Sequence, residues 1–426
     1  MAHLGSLSRA QGTALCIGAV LGTGVISMPA LAADAAGPAS LVAWLALVLL
    51  SAPLAWTFAA LGARYPDGGG VSTYVRLAFG PQAAAAVGWA FLVAVPLGAA
   101  PAAAFAGDYV ADVLGGGRTT VVATFLFCLG TVVVLNWFGL RVSGRVQLGL
   151  TAALATLLVV TVGAAAPHAR LANLTPFAPH GWAGIGAAAA VLVWGFAGWE
   201  AVSSLSGEYR DPRRDVPRAT AAAVLVVGVL YLAVAAAGVL VLGPAAGDSR
   251  APLADLLAAG FGGPVRVVTA IVAVMLTLGA MNAYVAGAAR LGVALARDGA
   301  LPARPFGTQH RALVLITLGS LVPIALPLPL RTAMLLVTGC FTLVYVLGTA
   351  AALRLLPAGW TRRGAGVAFT AVLVLLVLNG WPALLSLAVA GGAVIYTRRR
   401  KSSSPSSISM GSTAPKPNTN PVESLP

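Results

Sequence analysis

Charge is what this chain has least of: only 9% of its 426 residues are Asp, Glu, Lys or Arg, and twelve of these are acidic. So few charges cannot cover the surface of a water-soluble fold of this length. The only two lysines, Lys401 and Lys416, lie beyond the last apolar run. The four histidines, His3, His168, His180 and His310, fall in loops or the tail. No apolar run therefore holds the cluster of acids, bases and nucleophiles that intramembrane catalysis needs. Cys16, Cys128 and Cys340 stand singly within apolar runs. Without the paired spacing of a disulfide framework or a metal site, they read as small buried hydrophobes. No Walker-type glycine loop is present. The sequence thus points away from an enzyme, and it gives no reason to expect a cofactor or a metal.

What the chain has instead is apolar length. It is 59% hydrophobic, with a mean hydropathy of +0.90, the composition of an all-α polytopic membrane protein. At about 20 residues per crossing, the runs predict twelve transmembrane helices. These lie near 11–33, 38–62, 83–107, 119–138, 143–165, 183–205, 219–242, 264–290, 312–329, 332–353, 365–379 and 381–397. Pro96 and Pro101 predict a kink in the third.

The net charge of +14 is no sign of nucleic acid, because the basic residues occur in short runs between apolar segments. It reports topology. With the N-terminus inside, Arg118, Arg170, Arg250, Arg266 and Arg331 fall outside and the other 21 basic residues fall on the cytoplasmic side, as the positive-inside rule favours. Both termini are expected in the cytoplasm, in a multi-pass protein of the plasma membrane. Residues 1–10 form a short cytoplasmic lead, Arg398 to Lys401 a basic anchor, and the Ser/Pro-rich stretch to Pro426 a tail expected to be disordered. The segment Arg64 to Gly80, RYPDGGGVSTYVRLAFG, reads as a solvated turn or a re-entrant loop.

Two interruptions stand out among the runs. In the first, IGAVLGTGVISMP, Gly22, Thr23 and Gly24 fall mid-span. Glycine weakens a helix interior by roughly 1 kcal/mol relative to alanine, so the backbone is expected to open there. An opened helix survives in hydrocarbon only when buried in protein or lining a watery cavity. Its half-helix amides suit a carboxylate and its unwound carbonyls an ammonium. A GxG that merely permits close helix packing is the bland alternative. The sixth run, VWGFAGWEAVSS, has Gly195 and Gly198 followed by Glu200, the one acid well inside a span. An ionised, unpaired carboxylate is expensive at that depth, which makes Glu200 a functional candidate. Spans 1 and 6 each open a block of five. The second block enters from the other side, so it is inverted with respect to the first, and a solute site belongs between the two breaks.

GAVLGTGVISMPA at 18–30, RYPDGGGVSTYVRLAFGP at 64–81, WGFAGWEAVSSLSGEYRDPRRDVPRA at 194–219 and ARDGALP at 296–302 resemble the amino acid, polyamine and organocation permease superfamily. Among its branches the chain looks most like the bacterial exporters of methionine and branched-chain amino acids. The resemblance implies a leucine-transporter-like fold: inverted repeats at 11–165 and 183–353, then two further helices at 365–397. It also implies site residues. Amides of Gly22, Thr23 and Gly24 would hold a substrate carboxylate, and the carbonyls of Val20, Trp194 and Ala197 would hold its ammonium. The family's helix-6 pattern falls on Trp194, Phe196, Gly198 and Glu200, with Glu200 in gating or coupling. Some proton-coupled relatives carry a lysine in helix 5, and the matching place is near Leu154. Proton-linked efflux through Glu200, exchange and facilitated flux therefore all stay open. The partners expected are a small neutral amino acid, the lipid bilayer and, in the first case, protons. A channel is the competing reading, but a single acid without a ring-forming repeat favours a closed midplane site.

Overall fold

The computed structural model describes residues 7–22, 24–66, 69–139, 144–326 and 328–403. Thr23 and the tail after Ser403 lie outside the described residues. So do Asp67 and Gly68 of the glycine-rich loop. Among the described residues there is no strand, only a single parallel bridge between Leu7 and Tyr209. The helices are α1 (Arg9–Leu21), α2 (Met28–Ala36), α3 (Ser40–Arg64), α4 (Val71–Phe79), α5 (Pro81–Leu114), α6 (Gly117–Trp137), α7 (Gly144–Ala165), α8 (Ala183–Phe196) and α9 (Glu200–Leu205). They continue as α10 (Pro212–Ala237), α11 (Pro252–Phe261), α12 (Val265–Arg297), α13 (Ala303–Phe306), α14 (Gln309–Ala325), α15 (Leu330–Leu355), α16 (Trp360–Leu378) and α17 (Ala383–Ser403). Eight helical stretches are long and apolar enough to cross a membrane. Counting α1–α2 and α8–α9 each as one interrupted pass, the helices make the twelve passes expected.

The two blocks repeat one order of elements: an interrupted pass, a long helix, a short helix, then three more passes. The short helices carry the symmetry. α4 packs on α5 of its own block and α15 of the other, whereas α11 packs on α12 of its own block and α7 of the other. They sit on opposite faces. Arg266, near the start of α12, bonds Asp255 of α11 at 2.7 Å, and Asp298, just past its end, bonds Arg76 of α4 at 2.9 Å. The 33 residues of α12 hold these two contacts about 50 Å apart. The face that holds α4 also holds the start of α1, the start of α10 and the ends of α12, α15 and α17, and is called the N-terminal face below.

Both short helices depart from the sequence reading. Val71, Tyr74 and Val75 are buried, so the stretch read as a turn or re-entrant loop is a nine-residue helix with one apolar side. In α11, Pro252 supplies the first-turn residue and Leu253, Ala254, Leu256 and Leu257 are buried. At ten residues it is too short to register as a span. α5 runs through both of its prolines and seven residues beyond the expected end. The basic anchor continues α17 rather than ending it. His310, read as a loop residue, falls in the first turn of α14.

Candidate functional site

The first interruption is wider than its glycines suggest. α1 closes where Gly22 N–H donates to Gly18 O at 3.3 Å, and Gly22 takes φ +28°. Helical geometry resumes only at Met28, with Gly24 O accepting from Ser27 N and Met28 N. Among the described residues, no acceptor receives the N–H groups of Gly24, Val25 or Ile26. Free amides leading into a helix N-terminus suit an anion. The second interruption is tighter. α8 ends at Phe196, Ala197 is extended at φ −65° and ψ 139°, Gly198 takes φ +127°, and α9 begins at Glu200.

The interruptions touch backbone to backbone. A Cβ on Gly24 would lie 2.8 Å from Gly195 Cα, and one on Gly198 would lie 2.5 Å from Ala19 O. Tyr231 of α10 binds both: its Oη lies 2.8 Å from Val20 O and 2.5 Å from Gly195 O. A hydroxyl has one hydrogen, so it satisfies only one of these carbonyls at a time. Phe196 packs away from the opening, its ring 5.1 Å from Tyr231 and 6.1 Å from Trp44.

Beside the two breaks lies a cavity of about 760 Å³. Val20, Gly22, Gly24, Trp194, Ala197 and Glu200 all line it. Gly198 stands behind that wall, against Ala19 and Val20. The rest is mainly apolar: Phe91, Gly98, Leu154, Val337 and Phe341 face it, together with Tyr284. Trp194 is set edge-on to Phe105, ring centres 5.9 Å apart. Gly98 makes room for that indole, since a Cβ there would already lie 3.4 Å from it.

Glu200 is buried, with 8% of its surface exposed, and its carboxylate folds back on its own break. Oε2 accepts the Gly198 N–H at 2.9 Å and the hydroxyl of Tyr345. Tyr345 Oη also lies 3.1 Å from Gly198 N. Tyr345 belongs to α15, so the triangle ties the helix-6 break to the tenth pass. Such a network is strong while complete and costly when a member is lost.

The cavity is lined toward the N-terminal face by Gly69, Gly70, Ser72, Arg290 and Ala294, and it opens on that side. Tyr109 shuts the other. Its Oη donates to Ile26 O at 2.6 Å and accepts from Leu253 N of α11 at 3.1 Å. Arg266 bonds Asp112 of α5 at 2.6 Å as well as Asp255. Tyr109→Phe leaves two buried backbone groups unpaired, a cost of about 1–3 kcal/mol each. The α11 side should then open more often. A cysteine placed at Ala99 in the cavity wall, in a background without the native cysteines, should react faster with an impermeant thiol reagent added from the α11 side. An unchanged rate would show that Tyr109 does not hold the closure.

Sequence reasoning missed Tyr109, Tyr231 and Tyr345. The signal was there, since a tyrosine inside an apolar span must find a partner for its hydroxyl, and the chain has only eight tyrosines.

An all-helical membrane protein with two interrupted helices meeting in the wall of a cavity open on one side has the build of a transporter. The chain belongs to the amino acid permease family, whose profile matches residues 7–414. It is 31% identical over 408 residues to the uncharacterized amino acid permease YecA of Bacillus subtilis strain 168, covering 93% of this chain and 96% of that one. It is also 31% identical over 409 residues, with the same coverage, to the L-methionine/branched-chain amino acid exporter YjeH of Escherichia coli K12. Identity to the branched-chain amino acid permease BcaP of Bacillus subtilis is 27% over 321 residues, covering 70% of this chain and 69% of that one.

Proposed function

We propose that this permease is a secondary carrier of a neutral, mainly aliphatic amino acid, methionine or a branched-chain one, and moves it out across the cell membrane by alternating access. One observation carries the reading: the Gly24 amide, without an acceptor, and the Val20 carbonyl, which shares one tyrosine hydroxyl with Gly195 O of the other break, border one apolar cavity that Trp194 and Ala197 also line. A zwitterion with an apolar side chain complements all three. Its carboxylate goes to the helix-1 amides, those of Thr23 and Gly24 and the turn that follows, while the Gly22 N–H, expected to join them, is held by Gly18 O at 3.3 Å. Its ammonium goes to the carbonyls of Val20, Trp194 and Ala197. The named relatives that export methionine and branched-chain amino acids, or carry branched-chain ones, support the side-chain class. The 21-to-5 distribution of basic residues supports cytoplasmic termini, and with that orientation the cavity faces the cytoplasm, the side from which an exporter loads. Residues 11–165 and 183–353 act as the two repeats, and Glu200 couples the cycle to protons.

Binding of methionine, its methyl ester and its decarboxylated amine to the purified protein tests the assignment. Loss of one charge-assisted contact costs about 1.5–3 kcal/mol, so each analogue should bind roughly 10- to 100-fold more weakly. Equal binding of the ester would remove the carboxylate from the helix-1 amides.

A further inference from the structure

A second cavity, of about 530 Å³, lies away from the breaks on the N-terminal face, where the start of α5 meets the ends of α12 and α17. Arg76, Arg297 and Arg400 line it with one carboxylate, Asp298. Asp298 is engaged by Arg76 at 2.9 Å, so among the described residues that line the cleft one carboxylate is set against three guanidinium groups. Arg400 Nη1 donates to Leu301 O at 3.3 Å, fastening the end of α17 beside the cleft. The inner wall is apolar: Ala85, Leu295 and Ala300 belong to one small buried cluster. Pro81 and Gln82 bring in the first turn of the 34-residue α5, whose dipole adds positive potential. Next to the cleft, Trp89 donates to Ala300 O at 2.8 Å and its ring lies 5.8 Å from that of Tyr396. Trp and Tyr gather at the level of the lipid headgroups.

We propose that this cleft is a phosphate site, filled in the membrane by the headgroup of an anionic phospholipid. Guanidinium forks match phosphate oxygens two at a time, and basic pockets between helices at the membrane surface suit such headgroups. The position gives the ligand leverage. α4 lines the transport cavity at Val71 and Ser72 and the cleft at Arg76, and α12 lines the cavity at Arg290 and Ala294 and the cleft from Leu295 onward. A bound headgroup joins both helices to α17 at the mouth of the transport path.

Native mass spectrometry of the full chain in detergent, titrated separately with dioleoylphosphatidylglycerol, dioleoylphosphatidylcholine and inorganic phosphate, tests the proposal. One phosphatidylglycerol should bind ahead of any phosphatidylcholine. The Arg297→Gln/Arg400→Gln variant should bind it about 30-fold more weakly, with phosphatidylcholine binding unchanged. Thr397→Glu, which sets a second carboxylate in the cleft, should weaken it in the same way and guards against a double variant that fails to fold. Displacement of the lipid by millimolar inorganic phosphate would assign recognition to the phosphate alone. Resistance to displacement would assign it to the whole lipid. Equal affinity of the wild type for the two lipids, or unchanged phosphatidylglycerol affinity in both variants, would overturn the site.

Discussion

Gly198→Ala is expected to abolish transport. The position sits at φ +127°, where a side chain strains the backbone by roughly 1–3 kcal/mol. Its Cβ would also press on Ala19 O at 2.5 Å, Ala19 C at 2.8 Å and Val20 Cα at 3.0 Å. These are backbone atoms of the helix-1 break, so α1 must retreat and the two interruptions lose register. Gly24→Val should act similarly through Gly195 Cα at 2.8 Å. Gly22 provides the contrast. The nearest atom to a Cβ there is Ala19 O at 3.6 Å, so Gly22→Val meets strain but no overlap and intrudes on the cavity itself. Binding measured per folded protein separates the cases. The Gly22 variant should fold and fail to bind, whereas the Gly198 and Gly24 variants should lose folded protein as well. A Gly22→Val protein that binds methionine normally would show that this glycine only shapes the turn.

Glu200→Gln is expected to keep substrate binding within a few-fold and to flatten the pH profile of net transport. Glutamine preserves an acceptor for the Gly198 N–H and the Tyr345 hydroxyl, but it cannot take up or release a proton. Tyr345→Phe should do more damage. It strips a buried carboxylate of its side-chain donor at a cost of about 1–3 kcal/mol and cuts the link to α15, so transport should fall roughly tenfold or more. A Gln variant with the wild-type rate and pH profile would make Glu200 a packing residue.

The passes and the two breaks were legible because both are written in composition. Length in apolar residues marks a span, and paired glycines mark the weak turn within it. The family resemblance named the residues, and the structure sets Val20, Gly22, Gly24, Trp194, Ala197 and Glu200 around one cavity. What escaped depends on partners distant in sequence. Tyr231 meets carbonyls 36 and 211 positions away, and Tyr109 meets α11 at 144 positions. Nothing in a local window says that a tyrosine hydroxyl will clamp two interruptions or seal one face. The short helices escaped for a different reason. α4 and α11 are amphipathic over nine and ten residues, too brief for a span and too apolar on one side for a free loop. Gly24 shows how one residue carries two meanings: it lines the cavity and lies against Gly195, so packing and binding are not alternatives there.

Counterflow in liposomes tests the central claim most directly. Vesicles holding the purified protein and unlabelled amino acid are diluted into a trace of labelled methionine, and uptake of label is followed for a panel of internal substrates. Methionine, leucine, isoleucine and valine inside should each drive transient accumulation of label, and acidic and basic amino acids should not, because among the described residues no cation lines the central part of the cavity for the first and Glu200 is already engaged by Gly198 and Tyr345 against the second. Arginine or lysine driving more accumulation than methionine, or no accumulation with any amino acid, would contradict the account.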